Sequence, residues 1–166
     1  MTRRTYFADL PDGLAFDLKG LVDDCRCEVL GLRRPPWELR LNAVSWQAGR
    51  DHDLPAVVEF FYRGSGRSVW LSSGPSRTEH SADGRTEFDA VTRFEGMSQG
   101  RASGGVPETA SRPLFIRLRQ HGLIVARLRD GDVVERVMRA VVALTPGSVV
   151  TKRHQRELEA ALRSLA

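Results

Sequence analysis

The chain has 166 residues, 41% of them hydrophobic and 28% charged, which is enough for one ordinary globular domain and too few for two independent cores. Its formal charge of +4 permits attraction to nucleic acid, anionic lipid or an acidic partner, and requires none of them. No apolar run approaches the length of a membrane span, and the basic start Met1 to Tyr6 leads into Asp9, Pro11 and Asp12 instead of the apolar run of a secretory signal.

Of the 25 basic residues 23 are arginine, Lys19 and Lys152 being the exceptions, so an arginine on the surface is this chain's default. Cys25 and Cys27 are the only cysteines. Their alternate spacing is expected to be poor for mutual bonding or for a complete metal site, and it suggests a reduced, cytoplasmic protein.

After Pro11-Asp12-Gly13, residues Leu14, Leu18, Leu21, Val22 and Cys25 recur at helical spacing and predict an N-terminal amphipathic helix, with Cys25 on its apolar stripe. Cys27 to Leu32 suit a short strand, followed by the helix-incompatible connector Arg33-Arg34-Pro35-Pro36. Trp37, Leu39, Leu41 and Ala43 then alternate with polar residues as a half-buried strand does, and the phase is lost beyond Val44, with Trp46 as the place for a bulge.

The next strand sets Ala56, Val58, Phe60 and Tyr62 against Val57, Glu59, Phe61 and Arg63, and Gly64-Ser65-Gly66 turns it into Ser68 to Leu71. Asp83-Gly84 predicts a second hairpin, joining a strand around Arg77 to Ala82 to one over Arg85 to Phe94. Gly96 to Arg112 shows no periodicity and reads as a long flexible loop.

Pro113 to Leu128 predicts a third hairpin, turning at Gln120-His121-Gly122, with Arg119 opposite Leu123 and Arg117 opposite Val125. That register puts Leu114, Ile116, Leu118, Ile124, Ala126 and Leu128 on one face. Phe115, Arg117, Arg119, Leu123, Val125 and Arg127 take the other, with Arg129 just past the strand. Asp132 and Glu135 resemble a capping box for a helix carrying Val133, Val134, Val137, Met138, Val141 and Val142 on one side, ending by Pro146-Gly147. A last helix from about Thr151 should turn Leu158, Ala161, Leu162 and Leu165 inward and leave Lys152, Arg153, Arg156, Glu157, Glu159 and Arg163 solvated. The whole predicts a single α+β domain over residues 1–166, with a largely antiparallel sheet of about six to seven strands, an N-terminal helix and a C-terminal helical pair.

The chemistry-bearing patterns are sparse. Phe115 with Arg117, Arg119, Arg127 and Arg129 combines a stacking group with phosphate-binding ones, as a nucleic-acid face requires, although one solvated face is also ordinary for an antiparallel sheet. Gly96 to Gly105 is rich in glycine but lacks the Lys-Ser/Thr pair and the following helix of a phosphate loop, and Gly64-Ser65-Gly66 lacks the spacing of a nucleophile elbow. His52, between Asp51 and Asp53, and His80 are the candidates for a general base. His80 also reads as a cross-strand partner of Glu87, His121 as a hairpin-tip residue, and His154 with Glu157 as a surface helix pair.

No spaced set of acid, base, nucleophile or ligand residues emerges, and no cofactor or metal is implied. The expectation is therefore a non-enzymatic cytoplasmic binding or assembly protein, with a protein partner or a second copy of itself and no membrane association. Two alternatives stand beside it: nucleic-acid binding by the arginine face of the 113–129 hairpin, and a small enzyme with a pocket under the 96–112 loop.

Overall fold

A computed structural model describes residues 5–48, 54–74, 113–118 and 122–165. The predicted 77–94 hairpin, the 96–112 loop and the turn residues Gln120 and His121 lie outside the described residues. In chain order the elements are β1 (Phe7–Leu10), β2 (Gly13–Phe16), α1 (Leu18–Asp24), β3 (Leu30–Leu32), β4 (Arg40–Ala48), β5 (Pro55–Gly64), β6 (Arg67–Ser73), β7 (Pro113–Leu118), β8 (Gly122–Arg127), α2 (Glu135–Ala140), β9 (Val141–Ala143) and α3 (Val149–Leu165). The protein is α+β, as its sequence predicts: a five-stranded antiparallel sheet in the order β4-β5-β6-β8-β7, with the antiparallel pairs β1-β2 and β3-β9 beside it.

The core lies on one face of the large sheet. Leu41, Val58, Phe60, Tyr62, Val69, Leu71, Ile124 and Ala126 point there from four strands, and α1, β3 and α3 close over them with Leu18, Leu21, Leu32 and Leu158. The alternation of β5 and β6 is as predicted. In β4 a bulge between Leu41 and Ala43 inserts Asn42, so Ala43 leaves the buried face and Val44 and Trp46 come into phase with Phe60 and Val58. That extra residue, not Trp46, is where the phase is lost. Across the 113–127 hairpin the pairs are Phe115 with Val125 and Arg117 with Leu123, two positions from the expected register. A shift of two preserves the faces, and Ile124, Ala126 and Leu128 are buried as predicted.

Three helical expectations are corrected. The N-terminal helix starts only at Leu18, where the Asp17 carboxylate accepts from Gly20 N–H at 2.9 Å, and Leu14 belongs to a hairpin strand. The 132–142 segment is helical only over Glu135–Ala140, because the Asp132 carboxylate binds Arg67 instead of capping, and Val141–Ala143 pairs with β3. On α3, Leu165 is exposed, whereas Arg153, Glu157 and Glu159 are half-buried. Glu157 accepts from Leu41 N–H at 3.0 Å, Arg153 donates to Leu32 O, and the Gln155 amide bonds Phe16 O and Leu18 N–H. The polar side of α3 thus serves backbone groups that the short strands leave unpaired.

His154 is the largest departure from expectation. It is fully buried, and its Nδ1 lies 2.8 Å from Val150 O, which fixes the proton on Nδ1 and makes Nε2 an acceptor. The Tyr62 hydroxyl donates to Nε2 at 2.6 Å and accepts from Leu32 N–H at 3.0 Å. Every polar atom in this chain of bonds has a partner, which is why two polar side chains sit in the core.

The turn between β5 and β6 yields a stability prediction. A Cβ on Gly64 would collide with the Glu38 backbone carbonyl, its carbon only 2.8 Å away, whereas one on Gly66 (φ +72) would meet the Arg129 side chain at an ordinary 3.7 Å, which leaves only a conformational requirement for glycine. Gly64→Ala is expected to cost about 2–3 kcal/mol by overpacking and Gly66→Ala about 1 kcal/mol by backbone strain. Urea midpoints of the two variants check this, and equal costs would contradict the close approach.

Candidate binding face

Because opposite residues of an antiparallel pair share a face, the register reads out the side of the sheet away from the core. Ala43, Phe61, Trp70 and Val125 line up across β4, β5, β6 and β8, and Phe115 continues the row by register on β7. Phe61, Trp70 and Val125 are half-buried side by side on the face away from the core. One row toward the β5-β6 turn stand Arg40, Arg63, Ser68 and Arg127, with the three arginines exposed. One row the other way run Ser45, Glu59, Ser72 and Leu123.

The charge on this face is unbalanced. Arg40 and Arg63 are direct cross-strand partners, an arrangement that repels unless an anion intervenes. The ion pairs formed among the described residues, Arg67 with Asp132 and Arg153 with Glu157, involve neither of them, and Glu59 is engaged by Ser45 at 2.9 Å. Arg63 lies 5.2 Å from the centre of the Phe61 ring, so the basic row and the aromatic row touch.

The edge carrying this row is braced from the opposite side. Arg67 forms a two-pronged bond to Asp132 at 2.6 and 2.8 Å, and Asp132 also accepts from Arg129 N–H at 2.7 Å. The guanidinium holds the Asp132 carboxyl down to about 2, so the bridge persists at any ordinary pH. Arg67 and Arg136 lie at 4.9 and 5.0 Å on the Trp37 ring, tying α2 and the connector before β4 to the same end.

Of the residues singled out in the sequence, Arg127 is on this face, Arg129 is exposed just beyond it, and Phe115 and Arg117 occupy matching register positions on β7. Arg119, His52 and His80 lie outside the described residues. Sequence reasoning missed Phe61 and Trp70 in the aromatic row and Arg40 and Arg63 in the arginine row, because their alignment depends on pairing across three strands. His154 does not form a surface pair with Glu157; it is a core group, and burial lowers its pKa to about 4. Cys25 and Cys27, expected to be unsuited to mutual bonding, have their Sγ atoms 3.3 Å apart.

A concavity of about 830 Å³ lies between β1-β2 and the start of α3. Both lysines of the chain and Arg156 line it, but these are exposed side chains, and the amide of Gln155 is already committed to Phe16, Leu18 and Glu159. Among the described residues no cluster of three or more His, Cys, Asp or Glu could hold a metal ion, and no helix is long and apolar enough to cross a membrane. Comparison with protein-family models, curated proteins and solved structures gives no match.

Proposed function

We propose that this chain is a binding or assembly protein, not an enzyme, and that it engages a partner protein through the outer face of its large sheet. The observation that carries this reading is the half-buried Phe61-Trp70-Val125 row bordered by Arg40, Arg63 and Arg127. An apolar centre with an arginine-bearing rim is the anatomy of a protein interface, and tryptophan and arginine are the residues most often central to its energy. Five strands about 4.8 Å apart give a face roughly 20 Å across, at the small end of stable footprints, which suits a moderate affinity.

Charge selects the kind of partner. The three exposed arginines call for an acidic complement, and this face offers only Glu59, already engaged by Ser45, so the partner proposed is a different protein with an apolar patch and acidic rim. The same arginines, beside aromatic rings, favour single-stranded nucleic acid as a second reading.

The test is to retrieve partners with the immobilised protein, purify the protein retained by wild type and lost with Trp70→Ala, and measure its affinity directly. Trp70→Ala is expected to weaken binding by roughly 30-fold or more, as loss of a central aromatic anchor does. Arg63→Gln with Arg127→Gln should chiefly slow association and reduce its salt dependence. In parallel, a 20-nucleotide oligo-dT and an oligo-rU are titrated at low and high salt. Tight oligonucleotide binding that Trp70→Ala weakens, with a steep salt slope that the double arginine variant lowers, would replace this reading with the nucleic-acid one. Partner affinity unchanged in Trp70→Ala, or no retained protein that depends on Trp70, would overturn the protein reading.

A further inference from the structure

Cys25 ends α1, and Cys27 follows it in the bend that leads to β3. Both side chains are half-buried, so they are held in place yet open to small reagents. Arg26 N–H donates to Pro55 O at 3.1 Å, and the Cys27 thiol lies 3.4 Å from Ala56 O. The start of β5 therefore fixes the backbone between the two sulfurs and one of the sulfurs as well. With Sγ atoms already 3.3 Å apart, little further ordering is needed to bring one sulfur onto the other.

The environment also divides the labour between the sulfurs. A hydrogen bond from the Cys27 S–H stabilises a Cys25 thiolate and brings Cys25 from 9.0 down to about 7. The same interaction, together with burial, holds Cys27 far above the ordinary thiol range. Near neutral pH the pair thus offers an attacking thiolate beside a protonated thiol.

We propose that Cys25 and Cys27 form a redox-modification site for low-molecular-weight disulfides of the glutathione type, with Cys25 attacking and Cys27 resolving. Cys25 Sγ attacks one sulfur of the reagent, RSSR; the reagent's S–S bond breaks, a Cys25–S–SR bond forms, and RS⁻ leaves and takes a proton from water. Once Cys25 no longer carries charge, Cys27 gives its proton to solvent and its thiolate attacks Cys25 Sγ, expelling the second RS⁻, which is protonated in turn. Two protein thiols and one RSSR become one protein disulfide and two RSH. Oxidation removes the Cys27 proton, and with it both its bond to the Cys25 thiolate and its alternative bond to Ala56 O. The site is independent of the binding-face reading.

The full-length reduced protein is exposed to oxidised glutathione and quenched in acid at intervals, and its intact mass is measured. The expected product is a monomer lighter by two hydrogens, reached through a transient adduct of one glutathione. Arg26 lies between the cysteines, so trypsin without reductant should release peptides 20–26 and 27–33 as one linked species that reduction separates. Cys27→Ser should accumulate the glutathione adduct, Cys25→Ser should react roughly tenfold more slowly, and the wild-type rate should rise with pH to a midpoint near 7. A wild type that keeps one or two stable adducts overturns the proposal. So does a folded wild type that stays unmodified where urea-unfolded protein reacts, or a Cys25→Ser variant as fast as Cys27→Ser.

Discussion

Acidification from pH 7 to 4.5 is expected to lower the folding stability by about 2 kcal/mol through His154 alone. In the unfolded chain this imidazole has its ordinary value of 6.5, and in the core burial holds it at about 4. As pH falls through 6.5 the unfolded state takes up a proton that the folded state refuses, so the stability due to the neutral ring is complete above 6.5 and lost progressively toward 4. Each pH unit inside that window changes the balance by about 1.4 kcal/mol. Asp132 acts with the same sign at lower pH, its share being present above 3.8 and lost toward about 2, so the two windows separate. Urea midpoints of wild type and His154→Leu, taken at half-unit steps from pH 7.5 to pH 4.5, give the measurement. His154→Leu should lose the slope in this window, and at pH 7 should be about 1–3 kcal/mol less stable, because the buried Tyr62 hydroxyl loses its acceptor. Retention of the wild-type slope in His154→Leu would show that other groups cause it.

The sequence concealed that role for a definable reason. Lys152, Arg153, Arg156 and Glu157 surround His154 along the chain and make its side of α3 look solvated. Its burial is decided by Tyr62, 92 residues earlier, and polar side chains of α3 turn out to serve the backbone of β2, β3 and β4. Period and turn chemistry, by contrast, were enough for β5 and β6, where one side is apolar throughout and a local Gly-Ser-Gly turn closes the pairing, and period alone was enough for the faces of β8. The 132–142 stretch failed because valines suit both a helix and a strand, and the choice fell to long-range partners: Asp132 to Arg67, and Val141–Ala143 to β3. The candidate face was half legible. Arg127, Phe115 and Arg117 could be read from one hairpin, whereas Phe61, Trp70, Arg40 and Arg63 join them only when four strands are placed in register.

Phe60 and Phe61, adjacent on β5, are expected to separate stability from binding. Phe60 is 1% exposed, and its ring centre lies 6.3 Å from that of Tyr62 and 5.9 Å from that of His154. Phe60→Ala leaves a cavity against the buried Tyr62-His154 pair and should cost about 3–5 kcal/mol, enough to unfold a protein of ordinary stability at modest denaturant. Phe61 faces the other way, between Ala43 and Trp70 with Arg63 over its ring, and sheds only part of its surface on folding. Phe61→Ala should therefore cost about 1 kcal/mol or less while weakening the proposed partner by roughly tenfold or more. Denaturation curves and partner titrations of the two variants decide the matter together. Similar stability losses would mean that the outer face is not free, and a Phe61→Ala protein that folds normally and binds its partner with wild-type affinity would remove the aromatic row from the interface.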